Sequence, residues 1–260
     1  MDIELEVRNI RNQLQKFALP IIRLKPRPQN AENIWSSKFG GKPYWPKNMS
    51  YPETESGNKL ILIAQLNFEE LPQLEGFPHT GILQFFIANN QYYGMDIDRS
   101  VEEIISSHDG YQVIYHPVID NNQSHLTQDL PQAEPENYLP LSREHRLIAT
   151  LDREIPSPED FRYEKYVGDP FEHGDELGHF LYDNLSSEGS KVGGYAHFTQ
   201  EDPRIYGRYD DWVLLFQMDS EYLSDVDITW GDLGVCNFFI EKDALRNRDF
   251  SRVWYNWDCY

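Results

Sequence analysis

Gly81-Ile82-Leu83-Gln84-Phe85-Phe86-Ile87 and Gly234-Val235-Cys236-Asn237-Phe238-Phe239-Ile240 are the stretches whose reading decides the fold. Each is an apolar run too short for a helix and opened by a glycine, the pattern of a buried strand. Upstream of the first lie Lys38-Phe39-Gly40-Gly41 and Leu62-Ile63-Ala64-Gln65-Leu66-Asn67; upstream of the second lie Lys191-Val192-Gly193-Gly194 and Leu214-Leu215-Phe216-Gln217-Met218-Asp219. The interval from Gly40 to Gly81 equals that from Gly193 to Gly234, 41 residues, while the middle block slips by one, as a single insertion or deletion produces. Self-similarity of this kind reads as an internal duplication, with pseudo-repeats at approximately 36–117 and 190–258.

Between and around these blocks the chain alternates short strands with a few helices. Ile3, Val7, Ile10, Leu14 and Phe17 place one apolar stripe on an N-terminal amphipathic helix, with Asp2, Glu4 and Glu6 in its first turn and Pro20 as its stop. The polar face lacks the basic character of a membrane-surface helix, so the stripe is expected to dock on the protein itself. Tyr92-Tyr93 and Tyr111–Tyr115 read as further strands, with a short helix from Arg99 to Ser106 between them. Residues 120–140, spotted with Pro131, Pro135 and Pro140, read as the connection between the repeats. Ser157-Pro158-Glu159-Asp160 has the form of a helix start, and a second helix is expected over Asp175 to Leu185. The predicted class is α+β, a mostly antiparallel sheet built from two pseudo-repeats with a few peripheral helices. Residues 1–260 are read as a single domain, because the N-terminal helix and the aromatic segment Trp254–Tyr260 need a common core.

With 43 acidic against 23 basic residues the chain carries a net charge of −20. Such a surplus repels phosphate backbones and anionic membrane surfaces across a Debye length of about 8–10 Å. Nucleic acid and membrane are therefore excluded as expected partners, while a basic protein or a small molecule remains compatible. Cys236 and Cys259, the only cysteines, form no disulfide framework. The acidic start Met1-Asp2-Ile3-Glu4 has neither the basic nor the apolar region of a secretory signal, so the expected location is cytoplasmic.

Several motifs recur in a fixed order: Ser37-Lys38-Phe39-Gly40-Gly41-Lys42-Pro43 with Trp45-Pro46, then Gly193-Gly194-Tyr195-Ala196-His197-Phe198-Thr199-Gln200-Glu201-Asp202-Pro203-Arg204, then Trp230-Gly231-Asp232, and finally Trp257-Asp258-Cys259. Together they resemble the YwqG-like family of uncharacterised bacterial proteins over nearly the whole chain. The resemblance implies a shared fold and supplies no reaction, since that family is a domain of unknown function.

Candidate binding residues come from the strand amides and the loops. Gln65 and Gln217 put amides inside apolar strands, where each must find partners or lose roughly 1–3 kcal/mol; they tie their strands to the glycine loops or face a groove between the repeats. Gln200, Asp202 and Arg204 share a proline-turned loop that suits either a polar ligand or an internal Asp–Arg pair. Trp45, Trp230 and Asp232 are candidate walls of a binding site. His173 and His179 stand among acids, but no His-Glu-x-x-His or Cys-x-x-Cys spacing marks a metal site, and no cofactor fingerprint or nucleophile elbow occurs. The leading reading is a non-catalytic ligand- or protein-binding module. The alternatives are a hydrolase or transferase using Asp202, Asp232 and His197, and an acidic immunity-type protein that binds a basic toxin.

Overall fold

A computed structural model describes residues 3–107, 109–133, 138–206, 209–223 and 225–260; Met1, Asp2 and Pro135, used above, lie outside them. In chain order the elements are α1 (Ile3–Leu14), a 3-10 turn, β1 (Leu19–Arg27), β2 (Lys38–Phe39), β3 (Ile61–Asn67), β4 (Ile82–Ile87), α2 (Val101–Ser107), β5 (Tyr111–His116) and β6 (His145–Glu154). There follow α3 (Arg162–Val167), α4 (Asp175–Asn184), β7 (Lys191–Val192), β8 (Trp212–Asp219), β9 (Glu221–Leu223), β10 (Val226–Ile228), β11 (Val235–Glu241), α5 (Lys242–Asn247) and β12 (Val253–Asp258).

Ten strands join in one sheet, in the order β12-β11-β8-β7-β1-β6-β2-β3-β4-β5, and its neighbours run antiparallel. The centre is the long pair β1–β6, in register from Leu19 opposite Glu154 to Arg27 opposite Arg146. On each side of it stands a two-residue strand, then three longer ones. The sheet curls until its two end strands meet: the Tyr111 hydroxyl on β5 donates to the Val253 carbonyl on β12, and the Tyr111 and Tyr255 rings lie 5.2 Å apart. The result is nearly a barrel.

That curl turns one face of each arm toward the other. Phe85 on β4 packs at 4.5 Å from Phe216 on β8 and 4.8 Å from Phe238 on β11, and Phe39 on β2 lies 6.0 Å from Phe216. All four are fully buried, each contributing roughly 1.5–3 kcal/mol of apolar burial. The space where the sequence reading allows a groove between the repeats is packed core. The outer faces are covered as well. Trp45 and Leu130 pack on Leu60, Leu62 and Phe86 of the first arm, and Phe198 and Ile105 pack with Leu214, Phe239 and Trp254 of the second. The stripe on α1 docks on α3 and α4 through Val7, Leu14, Tyr163, Leu177 and Leu181.

Three elements differ from the sequence expectations. The central pair β1–β6 is absent from them, because Pro20 and Pro26 argue against a strand at 19–27. The Leu24 N–H bonds the Ser190 carbonyl on the β7 side, so the nitrogens of residues 20 and 26, of the same parity, face that side too. There β7 pairs with only Ile22 and Arg23, so the prolines remove no bond to β6. Tyr92-Tyr93 forms a turn instead of a strand: Asn90 Oδ1 accepts from the Tyr92 and Gly94 amides, and Tyr93 takes φ 52°. Ser157–Asp160 is a turn ahead of α3, and Ser157 does not cap it; Asp160 Oδ1 accepts from the Arg162 amide at 3.0 Å while the carboxylate is turned inward to two arginines.

Candidate functional site

Gln65 and Gln217 are fully buried and spend both ends of their amides on the chain. Gln65 Oε1 accepts from the Tyr44 amide and from Gln84 Nε2, each at 2.8 Å, and its Nε2 donates to the Ile34 and Ser36 carbonyls at 2.8 Å. Gln217 Oε1 accepts from the His197 amide at 2.8 Å, while Nε2 donates to the Ser187 and Gly189 carbonyls at 3.0 and 2.9 Å. On the next strand Gln84 Nε2 bonds the Tyr44 carbonyl at 2.8 Å, and Asn237 Nδ2 bonds the His197 carbonyl at 2.9 Å. Buried glutamines here act as struts between sheet and covering loop.

The lysine that opens each glycine pair is also internal. Lys38 Nζ lies 3.3 Å from Glu144, and Lys191 Nζ lies 2.9 Å from both Glu154 oxygens. The two acids occupy the region of β6 flanking its two ends, so the central pair is tied to both arms. Burial pushes both lysines down, against the pull of their carboxylates, and pushes Glu154 up. Gly40, Gly41, Gly193 and Gly194 all have positive φ. A Cβ on Gly41 would stand 1.9 Å from a Glu144 oxygen, and one on Gly194 2.3 Å from a Glu154 oxygen. The paired glycines therefore serve a close approach as well as a turn.

Asp202 and Arg204 form a buried network in place of an open loop site. Arg204 donates to Asp202 Oδ2 at 2.7 Å and to Asp160 Oδ2 at 2.9 Å, and Arg162 reaches Asp160 at 2.6 Å. Burial alone would raise the Asp160 carboxyl, but the two guanidiniums outweigh it and hold the group well below the usual range. His197 Nδ1 lies 2.6 Å from Glu159 Oε2. Burial lowers the imidazole's affinity for a proton, and the Glu159 hydrogen bond and charge overcome this and leave it raised. Trp45 and Trp230 are core residues; Gln200 and Asp232 are exposed, Gln200 donating to the Cys259 carbonyl at 2.8 Å. Of the three groups in the acid–base alternative, Asp202 is occupied by Arg204, His197 by Glu159, and Asp232 lies on the turn whose carbonyl receives the Tyr260 amide. His179 packs its ring edge on Phe171 at 5.4 Å, and among the described residues no group of three His, Cys, Asp or Glu could hold a metal ion.

An open cleft lies elsewhere, at the end of β3, β4 and β5 beside the seam of the curled sheet. It has a volume of about 740 Å³ and is built from four segments: 54–61, 88–99, the C-terminal half of α2, and 109–111. Ile61, Ala88, Ile104 and Tyr111 give it an apolar floor, and Asn58, Asn89, Asn90 and Lys59 give it polar walls. Arg99 is paired with Asp96 at 2.9 Å, and Asp109 accepts from the Glu55 amide at 2.6 Å, so part of the wall is already fixed. Asn89 and Asn90 use their oxygens on the amides of Tyr138, Tyr92 and Gly94, which fixes the orientation of both side-chain amides. None of the sequence-derived candidates lines this cleft. Its residues sit singly in polar loops without motif or period, so the sequence offers no signal for them.

Among the described residues no helix is long and apolar enough to cross a membrane. No curated protein matches the chain. One family model does match, over residues 37–259, and so takes in both arms, the central strand β6, both Lys–Glu pairs, and Gln65 and Gln217 themselves. On that match the chain belongs to the DUF1963 family, a domain of unknown function.

Proposed function

We propose that this protein is a non-catalytic binding module and that its ligand, a small polar molecule, sits in the cleft beside the sheet seam. The observation that carries this is the cleft itself: about 740 Å³ with an apolar floor, side-chain amides and one lysine converging on it from separate loops. Volumes of roughly 300–1,000 Å³ with a few placed polar groups are typical of small-molecule sites. The non-catalytic part rests on the acid and base groups being spent on each other, Asp202 on Arg204 and His197 on Glu159, away from the cleft.

The test is a thermal-shift and amide-NMR screen of monosaccharides, nucleosides, amino acids and dicarboxylates on the wild type and on an Asn58→Ala/Lys59→Met variant. One class is expected to raise the wild-type Tm, since a ligand at 100 times its Kd adds about 2.7 kcal/mol. The same class should leave the variant unmoved while the unliganded Tm stays within about 2 °C, both sites being exposed. A panel that shifts neither Tm nor the resonances of residues 88–99 would overturn the reading.

The two arms are further read as copies of one unit, within a single domain over 1–260. Supporting this are the mirrored strand order about β1–β6, the two-residue strand and Lys–Glu pair at the start of each arm, and the matched bonds of Gln65 and Gln217. The same reading keeps the chain YwqG-like and cytoplasmic. Its net charge of −20 suits a small molecule or a basic protein better than nucleic acid or membrane.

A further inference from the structure

Asn237 Oδ1 and Asp258 Oδ2 are buried oxygens without a hydrogen-bond donor among the described residues. The Asn237 amide cannot be turned round to remedy this, because its Nδ2 donates to the His197 carbonyl at 2.9 Å and a flip would set two oxygens together. Asp258 Oδ1 is taken by the Thr199 amide at 3.1 Å and the Thr199 hydroxyl at 2.9 Å. Val235 pairs with Asp258 and Asn237 with Asn256, so Asn237 and Asp258 share a face of the sheet, one diagonal step apart on neighbouring strands.

The first arm shows what that diagonal position does. Ile82 pairs with His116 there, as Val235 pairs with Asp258, and Gln84 bonds the Tyr44 carbonyl as Asn237 bonds that of His197. Gln84 Oε1 lies 2.9 Å from His116 Nε2. Burial lowers His116 to about 4, so the ring is neutral and gives Gln84 an N–H. Asp258 holds the corresponding place in the second arm. An ionised carboxylate there can only accept, whereas a carboxylic acid can donate.

We propose that Asp258 is a neutral carboxylic acid in the folded protein at neutral pH, donating its proton to Asn237 Oδ1 while Oδ1 of its own carboxyl holds Thr199. It is thereby a pH-sensitive clasp. Thr199 and Gln200 are fastened to the last strand through Asp258 and the Cys259 carbonyl, and loss of the proton leaves two buried acceptors one diagonal step apart on the same sheet face. Burial is the largest influence on the group and favours the acid; the Thr199 bonds, the Gln200 backbone and the His197 charge act the other way. Other titratable groups nearby are the Cys236 thiol on β11 and Cys259, next in the chain, while Glu159, Asp219 and Glu188 act on His197. Asp232, on the turn before β11, is exposed.

The experiment is a carboxyl carbon-13 NMR titration of uniformly labelled, deuterated wild-type protein, with Asp258 assigned through its backbone, together with pH-dependent melting of Asp258→Asn and Asp258→Ala. The Asp258 resonance is expected to report a protonated carboxyl at neutral pH and to titrate on the alkaline side. Asparagine supplies the same acceptor and a permanent donor and has no proton to lose, so D258N should melt with the wild type only below about pH 4, where unfolded aspartate is protonated too, and increasingly above it as pH rises. D258A should melt below D258N at every pH. An Asp258 carboxyl that is ionised at neutral pH overturns the proposal whatever the variants do; so does a D258N that folds but melts as low as D258A.

Discussion

Lys191 donates to both carboxylate oxygens of Glu154 at 2.9 Å, with its ammonium fully buried and a third bond to the Ser187 carbonyl. Glu154 ends the central strand β6, and Lys191 begins the short strand that leads into the second arm. The pair is a tie between the middle of the sheet and one wing. Gly194 covers it, and the Tyr195 amide adds a bond to Glu154 at 2.7 Å. A sheet built mostly by curling ten strands needs such ties, since its centre contacts each wing through only two ladder positions, at β2 and at β7.

Lys191→Met is expected to destabilise the protein by about 3–5 kcal/mol, because it strands the Glu154 carboxylate in the interior. Adding Glu154→Gln should recover part of this loss, since glutamine keeps an oxygen for the Tyr195 amide and carries no charge. Urea unfolding of the single and double variants measures both steps. Equal midpoints for K191M and K191M/E154Q would mean that the charge is not what the lysine compensates.

The glycine pairs predict a graded series. Gly57, Gly41 and Gly194 all have positive φ, but a Cβ on Gly57 meets nothing within 4 Å, whereas those on Gly41 and Gly194 run into Glu144 and Glu154. Gly57→Ala should cost about 1 kcal/mol from backbone strain alone. G41A and G194A should cost at least about 2 kcal/mol more, as each must also displace a carboxylate held by a buried lysine. Similar melting temperatures for all three would remove the close-approach role of the pairs.

Gln217→Leu keeps the volume of the side chain and deletes its three bonds, leaving the His197 amide and the Ser187 and Gly189 carbonyls without this partner. Unsatisfied buried groups cost about 1–3 kcal/mol each, so a loss of several kcal/mol is expected, and Gln65→Leu should behave alike. The measurement is the melting temperature without any ligand. A Q217L protein that melts with the wild type would return the glutamine to the ligand-binding role considered from sequence.

What the sequence revealed and what it hid divide along physical lines. Strands such as β4 and β11 are legible because both of their faces are buried and the code is continuous apolarity. The strand β6 is not, since much of it is solvated, its apolar residues Leu147, Ile148, Ala149 and Leu151 follow no clean alternation, and its place is set by β1, whose prolines disguise it. The positions of Gln65 and Gln217 could be matched from spacing, but their bond partners come from covering loops about 20–30 residues away, which no local pattern encodes. Asp202 and Arg204 could be paired from the loop alone; Asp160, which shares Arg204, could not, because tertiary packing brings it there. The cleft is least legible of all, being made of single polar residues on four segments.

His197 gives the last prediction its sign. Its folded-state proton affinity lies above the ordinary value of 6.5, through the Glu159 bond and the nearby Asp219, despite burial. A group raised on folding adds stability that is complete below its unfolded pKa and is lost as pH rises through its folded one. The melting temperature is therefore expected to fall between mildly acidic and alkaline pH, and His197→Gln should flatten that limb while costing stability mainly at the acidic end. Asp258 contributes to the same limb through its own proton, and the two groups are close enough to couple. The double variant H197Q/D258N separates them: it should be flatter than either single variant, with a non-additive remainder that measures their interaction. A His197→Gln protein that keeps the full wild-type pH dependence would show that the imidazole is not charged in the folded state, and would leave Asp258 as the group that titrates.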